Sequence, residues 1–188
     1  MMLALRRLVG ALGILLLSAC RAKGAAPIQL VVGDSTDKHL TFAPQTAFAE
    51  YVEVPGSSSE LHLSLAGYAA SCERFISPGP GQPLVTVVIV IPAGQRLEAG
   101  VYGWNGHAAH GGTPSTPDRA YAVPSARIGP RNFVFDAGGS IRLNEVNLER
   151  AGKIKGVLSF EFAGTAEHEA ASIRGSFEAG LCRVHLAK

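Results

Sequence analysis

The sequence predicts an all-β protein: an antiparallel β-sandwich, with a small β-barrel as the alternative, preceded by a signal-peptide segment. Several segments alternate apolar and polar residues with period two, which is typical of strands with one buried face. The 22 glycines and 11 prolines are spread along the chain and favour many short elements. No segment of the sequence keeps a 3.6-residue apolar period over the length of a helix.

The first half of the domain contains three strand candidates. Residues 46–54 could form a short helix or a strand, and Tyr51, Val52 and Val54 favour a strand. In residues 60–65 the three leucines fall on one face. Residues 84–91 are apolar throughout and rich in β-branched side chains, which predicts a central strand covered on both faces.

The second half is predicted to be a three-stranded antiparallel meander over residues 140–182. The turn 150–152 joins its first two strands. Ile141 and Val146 have opposite parity although both are apolar, so the first strand needs a bulge near residues 144–145 to keep both on the buried face. Bulges are common in twisted antiparallel sheets, so this parity change does not argue against a strand.

Residues 1–19 have the features of an export signal. Arg6 and Arg7 precede an apolar run of 12 residues, 8–19, which is too short for a spanning helix of about 20 residues. A buried core helix would show a polar face, and this run has none. An ordinary signal peptide fits less well, because its cleavage site usually has small residues two positions apart.

The signal ends in Leu17-Ser18-Ala19-Cys20, which resembles the lipobox of bacterial lipoproteins. The resemblance implies that Cys20 receives a diacylglyceryl group, that cleavage precedes it, and that the membrane is a partner through acyl chains. The residue after it is Arg21 and not the aspartate associated with inner-membrane retention, so an outer-membrane location is expected in a Gram-negative host. Residues 20–27 are then a flexible tether, and 28–188 form a single β domain.

Charge argues against a nucleic-acid partner. The chain has 17 basic and 15 acidic residues, and loss of Arg6 and Arg7 with the signal leaves 15 of each. Nucleic-acid binding would need clustered basic residues. No polybasic stripe for anionic lipid is present either.

Two cysteines remain once Cys20 is assigned to lipid, Cys72 and Cys182. In an oxidising compartment such a pair predicts a disulfide. The alternative is two free thiols that bind metal or act in redox chemistry, but there is no Cys-x-x-Cys. By parity Cys182 lies on the face opposite Phe177, so either Gly180 interrupts the last strand or the cysteine lies beyond its end.

His107 and His110 are the weak candidates for a metal site, in a Gly- and Pro-rich loop at residues 105–120. A third ligand could come from residues 167–169, Glu-His-Glu. The pair lacks the His-Glu-x-x-His arrangement, and two solvated loop histidines are the simpler explanation. No catalytic residue and no cofactor are indicated.

Tyr102 and Trp104 stand at the entrance to that loop, where they either pack on the core or form an exposed binding platform. Residues 97–102 and 173–182 resemble segments of uncharacterised β-rich bacterial envelope lipoproteins, from which no activity follows. The expected function is a lipid-anchored cell-envelope protein with a non-enzymatic binding or structural role, its partner an envelope protein or a small ligand. The alternatives are a metal-binding protein or enzyme using His107 and His110, and a carrier with an apolar cavity.

Overall fold

The chain folds into β-strands. The computed structural model describes residues 27–32, 39–72, 77–104, 119–129, 131–134, 138–162 and 170–186. These ranges contain eleven strands and no helix. The strands are β1 (Ile28–Val32), β2 (His39–Phe42), β3 (Thr46–Glu53), β4 (Ser59–Ala66), β5 (Pro83–Ile91), β6 (Gly100–Gly103), β7 (Tyr121–Ile128), β8 (Arg131–Val134), β9 (Gly138–Val146), β10 (Lys153–Phe162) and β11 (Ala171–Leu186).

All eleven strands belong to one sheet that curls almost into a barrel. Its order is β6-β9-β10-β11-β3-β4-β5-β7-β8, and β1 pairs with both β11 and β2. A parallel bridge between Trp104 and Ala122 joins the end of β6 to β7, which brings eight strands into a ring. The predicted all-β class is confirmed, and the curled sheet corresponds to its barrel alternative.

The sheet is mixed and not purely antiparallel. The long strand β11 pairs antiparallel with β10 along one edge, while its second half, from Gly180 to Leu186, pairs parallel with β3 on the other edge. The two strands lie far apart in sequence. The local hairpin pattern, which predicted an antiparallel sheet, therefore gave no information about their relative direction.

Strands β9, β10 and β11 form the predicted antiparallel meander. Lys155 is opposite Glu145 and Gly156 is opposite Leu143, so Asn144 is the extra residue of a bulge. The bulge returns Val146 to the face on which Ile141 lies, and it is at the predicted position. The turn before β10 also agrees with the prediction, with Ala151 at a φ of 60°.

Gly156 follows this bulge and has no room for a side chain. A Cβ there would overlap the carbonyl oxygen of Arg142 and lie 2.9 Å from Cζ of Phe177. The Phe177 ring occupies the place where the missing side chain would be, and it is itself buried. The glycine thus permits an aromatic side chain of β11 to pack across β10.

The core lies inside the curl of the sheet, where the buried side chains come from alternate positions of the strands whose side chains the structure describes. The three leucines of residues 60–65 all point into it, as predicted. The largest fully buried side chains are Phe160, Ile28, Leu30, Leu61, Leu63, Leu65, Ile89, Ile91, Ile141, Leu143 and Ile154. Residues 46–54 resolve to strand β3, the predicted preference.

Strand β5 contains the apolar run 84–91 and is central, since β4 and β7 flank it. Its odd-numbered side chains from Val85 to Ile91 are buried. Val88 and Val90, on the opposite face, are only half-buried. Leu84, on that same face, is 3% exposed and packs with Ala66 and Tyr68, so the prediction that both faces are covered holds at the start of the strand and fails at Val88 and Val90. The branched side chains satisfy strand geometry on the outer face without requiring full burial.

Candidate functional site

Most of the sequence-predicted site residues fall outside the described residues. These are Cys20, His107, His110 and residues 167–169. Within the described part of the chain, no three histidine, cysteine, aspartate or glutamate side chains gather closely enough to hold a metal ion. The predicted metal site at His107 and His110 therefore lies outside the described residues and stays a prediction.

Cys72 and Cys182 lie at disulfide distance and are joined. Their Cα atoms are 5.7 Å apart, within the usual range of about 4.4–6.8 Å. Cys182 is the extra residue of a second bulge, because Leu181 pairs with Ala49 and Arg183 pairs with Glu50. The strand is thus neither interrupted nor ended at the cysteine. The bulge leaves Cys182 unpaired with β3, and parity directs it outwards.

The loop that carries Cys72 is held against the start of β3. The Thr46 hydroxyl donates a hydrogen bond to the Tyr68 carbonyl oxygen at 3.1 Å, and the Ala70 amide donates to the same hydroxyl at 3.1 Å. The backbone amide of Gly67 donates to the Pro83 carbonyl oxygen at 2.9 Å. The disulfide therefore ties the connection after β4 to β11, across the parallel β11–β3 pair.

Tyr102 and Trp104 belong to the core and not to an exposed platform. Tyr102 is 7% exposed, and its hydroxyl donates to the Glu98 carbonyl oxygen at 2.6 Å and accepts from the Glu98 amide at 3.1 Å. Burial raises the pKa of this phenol. Trp104 is half-buried against the same core. Both aromatics thus help to hold β6 in the ring.

The outer face of β6, β9 and β10 carries a shallow depression of about 360 Å³. Val101, Arg142 and Val157 are cross-strand partners in one row, and we call these three residues the outer patch. Val101 is 58% exposed and Val157 is 43% exposed, the two large apolar side chains of the described surface that stand out. Ser140 and Ser159, opposite each other in the next row, line the same depression.

Among the side chains that the structure describes on the strands around the outer patch, Lys153, Lys155 and Arg174 form ion pairs and Arg142 does not. Lys153 donates to Glu178 at 2.5 Å, and Lys155 lies 2.7 Å from Glu145. These contacts raise the pKa of Lys155, chiefly through its hydrogen bond to Glu145. The hydrogen bond from Lys153 is the main cause of a lowered pKa for Glu178.

Arg174, two strands away from the patch arginine, pairs with Glu161. Arg142, which lies between the two exposed valines, has no ion-pair partner among the described residues. An exposed guanidinium flanked by apolar side chains can bind an anionic group that is attached to apolar material.

Sequence reasoning did not single out the outer patch. Val101 lies in a short strand, and Val157 alternates against Leu158 on a face that should be polar. The signal was available in the parity of β10, where an apolar residue occupies an outward position between Lys155 and Ser159. An isolated exposed valine is common, however, and only strand pairing places Val157 next to Arg142 and Val101.

Comparison with known proteins finds no match: no family model, no curated protein and no solved structure is significantly similar to this chain. Among the described residues, none forms a helix long and apolar enough to cross a membrane.

Proposed function

We propose that the protein is a lipid-anchored component of the bacterial cell envelope with a non-enzymatic role in binding or structure. Cys20 is its anchor and the β domain is its working part. In a Gram-negative host, Arg21 after the cysteine favours the outer membrane. The role is contact with a partner and not chemistry on a substrate.

The observation that carries the proposal is the pairing of the cysteines. The chain has three cysteines, and two of them, Cys72 and Cys182, are joined across the sheet. A disulfide of this kind suits an exported protein, because cytosolic thiols are kept reduced. The third is Cys20, at the end of an apolar run in the sequence Leu-Ser-Ala-Cys, where a lipobox would have its modified residue.

The start of the folded domain also fits an anchor. Strand β1 begins at Ile28, so only residues 21–27 separate it from Cys20. Two acyl chains make a stable anchor, since each buried methylene contributes about 0.8 kcal/mol. The surface feature nearest to a binding site is the outer patch. Its exposed valines, and an Arg142 with no ion-pair partner in the described part of the chain, suit contact with another surface.

The test is the location of a Cys20→Ala variant. The parent protein should sediment with membranes and resist extraction by high salt, whereas the variant should not be acylated and should leave the membrane fraction. The matched control is Cys72→Ser with Cys182→Ser, which removes two thiols and should leave membrane association unchanged. A C20A protein that stays in the membrane fraction as fully as the parent would refute the anchor.

A further inference from the structure

We propose that the outer patch docks on the phospholipid surface to which Cys20 is anchored, with Arg142 on a headgroup phosphate and Val101 and Val157 against the acyl boundary. This inference rests on the proposed lipid anchor and adds an orientation to it. The domain would not hang freely from its tether but would lie with the β6–β9–β10 face towards the membrane.

The chain enters the sheet at the start of β1, beside β11. Strand β1 pairs with β11 so that Gln29 is opposite Arg174. Continuing the same register by two residues brings Pro27 beside Ser176. The contact is close: a Cβ on Gly175 would lie 3.1 Å from the Pro27 carbonyl oxygen.

This entry point lies in the same cross-strand row as the outer patch. Ser176 is opposite Val157, and Val157 is opposite Arg142. With adjacent strands about 4.8 Å apart, Pro27 lies about 10 Å from Val157 and about 14 Å from Arg142. The seven residues 21–27 reach at most about 25 Å when extended. The patch therefore begins close to the point where the tether joins the domain, within the distance that the tether itself can span.

The chemistry of the outer patch matches that of a phospholipid surface. A phospholipid surface offers an anionic phosphate directly above apolar chains. The patch offers the complement, a guanidinium between two exposed valines. The neighbouring cations are less able to bind the phosphate than Arg142 is, because Lys153, Lys155 and Arg174 already have carboxylate partners.

A patch this small would not hold a free protein on a membrane, but a tethered one needs much less. A short linker sets an effective concentration on the order of millimolar for the second contact. Arg142 strengthens the docking equilibrium about fivefold near an anionic surface, and replacing it by an acidic residue weakens that equilibrium about thirtyfold. The anchor supplies the affinity, and the patch selects the orientation.

The experiment measures the depth of the patch directly. The lipidated protein is purified from membranes as the variants Val157→Trp and Val88→Trp and reconstituted into phosphatidylethanolamine–phosphatidylglycerol vesicles with brominated acyl chains. Val88 is the matched control because it faces outwards on β5, four strands from β10 in either direction around the ring. The parent protein gives the baseline from Trp104.

We expect bromine to quench V157W at least about twofold more than V88W, since a docked apolar face lies about 5–10 Å into the headgroup–acyl boundary. Adding Arg142→Glu should return the quenching of V157W to the level of V88W, while the protein still sediments with the vesicles. Val101→Trp is the second probe and should behave as V157W does, so a folding defect in one variant does not decide the result.

Equal quenching at positions 157, 101 and 88 in protein that sediments with the vesicles would overturn the docking and leave the anchor intact. The patch would then face away from the membrane, as contact with a partner protein would require. Failure of the parent itself to sediment would overturn the anchor and, with it, the docking.

Discussion

Removing the disulfide tests how the closing strand is held. The perturbation is Cys72→Ser together with Cys182→Ser, which opens a link between residues 110 apart in sequence. In the chain-entropy model, closing a loop of n residues lowers the entropy of the unfolded chain by about 2.1 + 1.5R ln n cal/mol/K. For n of about 110, this entropy loss corresponds to about 4.8 kcal/mol of folding stability at 25 °C. Packing adds little, because Cys72 is exposed and Cys182 is half-exposed. Nearly all of the effect should therefore come from the freed unfolded chain.

The assay is denaturant unfolding, which gives the unfolding free energy, and thermal unfolding, which gives the Tm, of the parent and the double variant, both followed by circular dichroism. At about 2–4 °C per kcal/mol for a domain of this size, the Tm should fall by about 10–19 °C. Reducing the parent should reproduce the loss, and the same reductant should leave the double variant unchanged. A difference in unfolding free energy below about 1 kcal/mol would contradict this expectation, since the disulfide would then constrain the unfolded chain hardly at all.

Two further predictions concern the β9–β10–β11 meander. Gly156→Ala should destabilise the domain by about 1–3 kcal/mol, because the new Cβ overlaps a backbone carbonyl and meets a buried ring. The control for lost glycine flexibility is Gly180→Ala, where a Cβ meets nothing within 4 Å. Equal losses of unfolding free energy in the two variants would contradict the steric explanation. The hydrogen bond from Lys153 lowers the pKa of Glu178 in the folded state. The ionised Glu178 therefore stabilises the fold at neutral pH, and this stabilisation is lost as the pH falls below the ordinary glutamate pKa. In urea titrations at pH 7 and pH 3, Glu178→Gln should lose less stability on acidification than the parent by roughly 0.2–1 kcal/mol, and an identical loss in both would exclude this pair as a source of the pH dependence.

The local part of the fold was predictable because alternation reports directly on which face is buried. The leucines at 61, 63 and 65 share the inner face, and the parity change between Ile141 and Val146 located a bulge that strand pairing places at Asn144. Each of these inferences needed only neighbouring residues and the two-residue period of a strand.

The long-range part was not predictable from one sequence. The parallel pairing of β11 with β3 and the bridge between Trp104 and Ala122 depend on how distant segments meet, and no local pattern encodes that. The coverage of both faces of the run 84–91 was not predictable for a related reason. Branched apolar residues suit both a doubly covered strand and a strand with one half-exposed face, so composition could not separate them.

The candidate surface shows the same division. The cysteine pair followed from counting residues and from the predicted export signal, and the structure joins Cys72 to Cys182. The outer patch needed three strands to be set in register before Val101, Arg142 and Val157 became neighbours. The predicted metal ligands His107 and His110 lie outside the described residues and stay a prediction.

The most direct test of the anchor is the mass of the amino-terminal peptide from the membrane-purified protein. We expect a peptide that begins at Cys20 and carries two or three acyl chains. An unmodified Cys20, or a mature chain that begins at another residue, would contradict it.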